Sequence, residues 1–157
     1  MQYPGYNSGN VILKKGEWCP FTVYNIVQLQ DAEWYYILLD SNGLKHFLQA
    51  EYYSNHGINI GDKILCKIEK INCTGRIFLE PKHPYYNEGE NYTFSVLEFL
   101  NSGAEKLFIV RDSYGNSIEV PVCNDKSVKV KSEKLVNCIV KTIKKGIPVL
   151  EISDITS

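Results

Sequence analysis

Strand-like text recurs in this chain at a near-constant spacing, and that repeat limits the fold more than any other feature. Phe21-Thr22-Val23-Tyr24-Asn25-Ile26 aligns with Tyr92-Thr93-Phe94-Ser95-Val96-Leu97 at a spacing of 71. Tyr36-Ile37-Leu38-Leu39-Asp40-Ser41-Asn42-Gly43 aligns with Phe108-Ile109-Val110-Arg111-Asp112-Ser113-Tyr114-Gly115 at 72. Lys63-Ile64-Leu65 then matches Lys134-Leu135-Val136, Gly75 matches Gly146, and Leu79-Glu80 matches Leu150-Glu151, again at 71. A spacing held over so much of the chain marks a duplicated unit. Both copies carry Asp-Ser-x-Gly, a turn whose glycine is available for positive φ.

Each copy reads as strands throughout. Gly61 to Asn72 and Gly75 to Glu80 predict a hairpin with its reversal at Cys73-Thr74-Gly75. Ile64, Cys66 and Ile68 alternate with Leu65, Lys67 and Glu69, and Ile77 and Leu79 alternate with Arg76, Phe78 and Glu80. Period-two patterning around a glycine is the mark of a half-buried hairpin. Three strands precede it in each copy: one from Phe21 or Tyr92, one ending in Asp-Ser-x-Gly, and one over Leu44 to Ala50 or Ser117 to Cys123. Val11-Ile12-Leu13 reads as a further short strand. Ala50 to Asn55 is the nearest approach to a helix, and with Gly57 behind it the segment is too short to stand alone. Five strands per copy without a covering helix predict a small closed barrel, because closure removes unpaired edges. The expected organisation is an arm over 1–18, a barrel over 19–81, a connector over 82–90 stiffened by Pro81 and Pro84, and a second barrel over 91–155.

Composition narrows the class. At 44% hydrophobic and 22% charged residues the chain is ordinary for a globular protein, which argues against extensive disorder. A net charge of -1 counts against dense phosphate neutralisation, although local patches matter more than the sum. From Lys126 to Lys145 seven lysines meet one acid, Glu133, a run that reads first as a solvated face. The five cysteines show no C-x-x-C pair and no zinc spacing, so neither a metal nor another cofactor is expected. Their odd number, with no basic-then-apolar leader and no membrane-spanning apolar run, points to a reducing, cytoplasmic setting with no membrane partner.

The first copy resembles the S1-type RNA-binding domain of the OB-fold class over roughly residues 19–81. Gly43-Leu44-Lys45-His46-Phe47-Leu48 is similar to that family's Gly-Leu-x-His-Ile-Ser segment. Ile60-Gly61-Asp62-Lys63-Ile64 is similar to its Val-Gly-Asp-x-Val, and Asn72, Arg76 and Leu79 fall on its Asp-x-x-x-Arg-x-x-Leu turn. The resemblance implies two tandem five-stranded OB-type barrels, all-β, with single-stranded RNA or DNA bound on one face of the first. It carries over His46 and Arg76 directly, places Asn72 where the family has an acid, and places Trp34 on an aromatic position. Asp31 falls where the family has its other aromatic.

The residues themselves support part of this. With Ile77 and Leu79 facing the core, Arg76 and Phe78 share the outer face, a cation beside a ring; the alternative is a packing surface for Tyr85 and Tyr86. Trp34-Tyr35-Tyr36 offers two rings to one face and one to the other, with at least one expected in the core. His46 aligns with Ile118 in an apolar row and is open to a core role; Phe47 then faces the other way and can stack in its place. The expected nucleic-acid-binding set is therefore Trp34, Tyr36, His46, Phe47, Asn72, Arg76 and Phe78. In the second copy Ile147 and Val149 stand where Arg76 and Phe78 do, so that face is expected to be covered, by the first barrel or by a protein partner. The second reading of the whole chain is a protein-interaction scaffold built on tandem barrels. An enzyme is not expected: His46, His56 and His83 have no local relay partner, and no nucleophile-elbow, metalloprotease or phosphate-loop motif occurs.

Overall fold

The computed structural model describes residues 12–101, 106–122 and 135–156, the last three of these for their backbone only, and divides into two units after Lys82. The first unit runs β1 Trp18–Gln28, β2 Trp34–Leu39, β3 Lys45–Gln49, a 3-10 helix Ala50–His56, β4 Lys63–Ile71 and β5 Ile77–Pro81. The second runs β6 Asn91–Asn101, β7 Lys106–Arg111, β8 Ser117–Pro121, β9 Leu135–Lys144 and β10 Ile147–Thr156. Their strand orders, β3-β2-β1-β4-β5 and β10-β9-β6-β7-β8, are the same order with every neighbour antiparallel. β10 packs along β8 and nearly closes the second barrel, whereas β3 and β5 meet over a shorter stretch in the first. Both units are OB-like barrels.

Alternation explains which side chains fill them. Phe21 and Val23 of β1, Leu38 of β2, Leu48 of β3, Cys66 and Ile68 of β4 and Leu79 of β5 form the first core. Phe94, Phe108, Val110, Val120, Val136, Cys138, Val140 and Leu150 form the second. Each large apolar side chain so buried contributes about 1.5–3 kcal/mol. Pro20 sits inside β1 at no cost to the ladder. Ile68 N–H donates to Glu17 O and Val23 N–H to Asp62 O, which puts the hydrogen-bonded pairs with β4 at odd positions. β2 pairs only from Thr22 onward, so Pro20 lies where no N–H is needed.

The bulges show how the copies correspond. β1 is bulged at Tyr24 and β6 at Leu97, β4 at Glu69 and β9 at Lys141. Phe21 thus corresponds to Phe94, 73 residues on; Cys66 to Cys138, 72 on; and Phe78 to Val149, 71 on. The spacing of 71 read for the first strand and for Lys63 is corrected here. Each turn that is one residue shorter in the second copy lowers the spacing by one. The β9–β10 turn is Lys145-Gly146, with φ of 52° and 77°, a two-residue hairpin where the first copy uses Cys73-Thr74-Gly75. A one-residue error matters in β4, because it exchanges inward for outward side chains.

Other expectations change as well. Ile12 and Leu13 are not in a strand. The segment after Ala50 is a 3-10 helix ended by Gly57 at φ 67°. Glu80, expected on the outer face with Arg76 and Phe78, is buried and accepts a 3.0 Å hydrogen bond from the Tyr53 hydroxyl. Much of the segment read as a connector belongs to the second unit. Tyr86 lies in its core, His83 Nδ1 accepts from Tyr85 N–H and Tyr86 N–H, and Gly89 N–H donates to Val140 O. Residues 1–11, Cys123 and the lysines from Lys126 to Lys134 lie outside the described residues. Among those described, no helix is long and apolar enough to cross a membrane.

The corresponding thiols Cys66 and Cys138 each face a core. Burial pushes Cys138 up to about 12, and burial, then Glu80 and Cys19, push Cys66 above its ordinary value of 9.0. A raised folded-state value means the unfolded chain loses its proton first. Stability is therefore full below the unfolded thiol value and declines as pH rises above it. We expect the unfolding free energy from urea titration to fall above about pH 9, by up to about 1.4 kcal/mol per pH unit for each thiol. Cys138→Ala should remove that thiol's share of the slope; an unchanged pH dependence in this variant contradicts the assignment.

Candidate nucleic-acid interface

A groove of ≈ 670 Å³ runs along the first barrel between the β1–β2 loop, the outer side of β2 and β3, and the β4–β5 turn. The loop is held tightly. Leu29 N–H donates to Glu33 O, Ala32 N–H donates to Leu29 O, and Ala32 sits at φ 66°. Asp31 Oδ1 accepts from Glu33 N–H at 2.9 Å, and Oδ2 accepts from the Tyr35 hydroxyl at 2.7 Å. The Tyr35 bond first, then the Glu33 N–H, hold the Asp31 carboxyl below its ordinary range. The same bond raises the Tyr35 hydroxyl and keeps it a donor, against the smaller pull of Arg76 in the other direction.

Tyr35 points outward from β2, and its ring meets Phe47 of β3 edge-on at 6.2 Å. Phe47 is 42% exposed. Across the groove the β4–β5 turn sets Arg76. Asn72 Oδ1 accepts from Thr74 N–H, the Thr74 hydroxyl and Arg76 N–H, at 3.1, 2.7 and 2.8 Å, with Gly75 at φ 86°. The Arg76 guanidinium lies 4.8 Å from the Phe78 ring, and Lys70 approaches the same ring at 5.8 Å. Lys45 lies 5.3 Å from the Tyr24 ring. Rings that carry cations at their faces combine the two things a single strand requires, stacking surface and positive charge.

His46 also borders the groove but is held from behind. Its Nε2 lies 2.8 Å from Asp40 Oδ2 and its ring meets Phe21 edge-on at 5.7 Å. Asp40 Oδ1 accepts from Asn42 N–H and Leu44 N–H, closing the turn with Gly43 at φ 81°. The second copy repeats the turn: Asp112 Oδ1 accepts from Tyr114 N–H and Asn116 N–H. There Asn116 Nδ2 donates to the remaining carboxylate oxygen at 2.9 Å, which leaves position 118 free to be Ile.

The structure thus gathers His46, Phe47 and Arg76 at one groove, with Phe78 beside Arg76. Asn72 shapes the turn and its acceptor is used there. Tyr36 packs on the first core, and Trp34, half exposed at the start of β2, is not in the groove lining. Tyr35, Asp31 and Lys45 are groove residues absent from the sequence expectation. For Tyr35 the signal was available. Leu38 is the buried member of β2, so alternation puts Tyr36 inward and Tyr35 outward.

The corresponding groove of the second unit, ≈ 480 Å³, has no cation and no aromatic ring in its lining among the described residues. Ser117 stands for Lys45, Ile118 for His46, Glu119 for Phe47, Ile147 for Arg76 and Val149 for Phe78. Within the chain Ile147 and Val149 are 41% and 42% exposed.

No family model matches the chain. No curated protein matches it. Solved structures align over most of its length. One is described as the crystal structure of the tetrameric p202 HIN2, at 8% identity over 94% of this chain and 100% of that one, with a TM-score of 0.34. Another is described as the structure of a murine DNA binding protein bound with ds DNA, at 11% identity over 90% of this chain and 100% of that one, TM-score 0.32.

Proposed function

We propose that the first barrel is a non-catalytic module that binds single-stranded nucleic acid, RNA in the first instance, along the groove lined by Tyr35, Phe47 and Arg76. The observation that supports this most is placement. Outward rings and a guanidinium converge between the β1–β2 loop and the β4–β5 turn, over β2 and β3. In OB barrels that surface takes oligonucleotides and oligosaccharides. Splayed bases stack on the rings whatever their identity, and Arg76 with Lys45 and Lys70 meets the phosphates. The histidine at the site is engaged by Asp40, which suits a scaffold role better than proton transfer. The second barrel, with Ile147 and Val149 open and Glu119 in its groove, suits a protein partner better than a polyanion.

Titration of a fluorescein-labelled eight-nucleotide RNA tests the reading. Affinity should fall between about 50 and 200 mM salt, with a log–log slope of about 0.7 for each phosphate contacted. Absence of binding at the lower salt, or binding indifferent to salt, overturns it.

A further inference from the structure

A carboxylate is an unexpected neighbour for a polyanion, and Asp31 is fixed in the groove rather than drifting at its edge. Its two oxygens are tied to Glu33 N–H and the Tyr35 hydroxyl, and the loop that carries it is closed by backbone bonds at both ends. The ring that orients it, Tyr35, is one of the two rings that offer stacking surface. An ionised carboxylate has about four acceptor sites, so about two remain beyond these bonds. It donates nothing. Any group that meets it must present hydrogens, and must repay the repulsion that the same charge exerts on phosphates.

The Watson–Crick edges of the bases differ in that respect. Uracil and thymine present one N–H between two carbonyl oxygens. Cytosine and adenine present one amino group beside a ring-nitrogen acceptor. Guanine alone presents two adjacent donors, N1–H and the N2 amino group, at the separation of the two carboxylate oxygens. Unstacked bases in single strands are read on these edges while their faces rest on aromatic side chains.

We propose that Asp31 makes this groove a guanine reader, its carboxylate accepting N1–H and N2–H of a base stacked at Tyr35 and Phe47. The inference rests on the single-strand reading above and adds its base preference. Arg76 and Lys45 take the backbone, and Asp31 excludes bases that offer oxygens. Tyr35 acts as a positioning residue through its hydroxyl and as a platform through its ring.

The test uses the full chain and labelled octauridine in which one central position is guanosine, inosine, adenosine, cytidine or uridine, followed by anisotropy. Guanosine should bind about 10-fold tighter than uridine, the size of one bidentate base contact. Inosine, which lacks the N2 amino group, should fall between them. Asp31→Asn should bring the guanosine-to-uridine affinity ratio to about 1. Tyr35→Phe keeps the ring but removes the hydroxyl that orients the carboxylate, and should lower the guanosine-to-uridine affinity ratio. Equal binding of the five oligonucleotides by the unaltered chain overturns the guanine assignment and leaves single-strand binding standing, as does an equal change for all five in Asp31→Asn. Failure of every oligonucleotide to bind overturns both.

Discussion

Replacing Arg76 and Phe47 together by Ala is expected to weaken single-stranded oligonucleotide binding by about 2–4 kcal/mol, roughly 30- to 1,000-fold. Two losses add in that figure. Phe47 is an outward ring whose loss removes stacking for one base, worth about 1–3 kcal/mol. Arg76 is held between Phe78 and the groove by the β4–β5 turn, so its guanidinium meets a phosphate with little further ordering. Its removal should also lower the salt slope by about 0.7, a change that loss of a ring alone does not produce. The control lies in the second copy. Ile147→Ala with Val149→Ala removes side chains at positions corresponding to Arg76 and Phe78 and should leave oligonucleotide affinity as it was. Binding that survives the first pair of substitutions, or is lost with the second, places the interface elsewhere. Both variants should remain folded, since all four side chains are at the surface.

How much of this was legible in the sequence depends on which interaction set each feature. Features set by local alternation were legible: the hairpin strands, the inward row Cys66, Ile68 and Leu79, and the outward pairing of Arg76 with Phe78. The Asp-Ser-x-Gly turns were legible too, because an Asx turn is written in four neighbouring residues. Features decided between distant segments were not. Glu80 follows the outward period yet is buried, its carboxylate accepting from the Tyr53 hydroxyl 27 residues earlier. Tyr86 reads as connector text, yet its ring fills the second core and its hydroxyl accepts from Ser113 N–H. Matching Gly75 to Gly146 across turns of unequal length shifts the β4 correspondence by one residue, and only the bulges and ladder register fix it. At the site Tyr35, not Tyr36, faces outward, as alternation from the buried Leu38 requires. Asp31 carried no periodic signal at all, since its place in the groove comes from a loop closed by backbone bonds and from one tyrosine hydroxyl.

The largest effect on stability should come from Asp40→Ala, about 3–5 kcal/mol. The carboxylate satisfies Asn42 N–H, Leu44 N–H and His46 Nε2 at once while itself 7% exposed. Each donor left without a partner in such a place costs about 1–3 kcal/mol. Both tryptophans, Trp18 and Trp34, lie in the first unit, so their fluorescence in urea reports that barrel alone. The duplicated turn then separates a scaffold role for His46 from a ligand role. His46→Ile on its own should cost about 1–3 kcal/mol, because Asp40 Oδ2 loses its donor. The second copy meets the same need differently, with Asn116 donating to Asp112 and Ile118 in the histidine's place. Leu44→Asn added to His46→Ile installs that arrangement and should recover stability to within about 1 kcal/mol of the unaltered chain. Tyr35, Phe47 and Arg76 are untouched by the exchange, so oligonucleotide affinity should stay within a few-fold. A double variant no more stable than His46→Ile would mean that the two turns are not equivalent. A stable double variant that no longer binds would move His46, or Leu44 beside it in the groove lining, from the scaffold to the nucleic-acid contact.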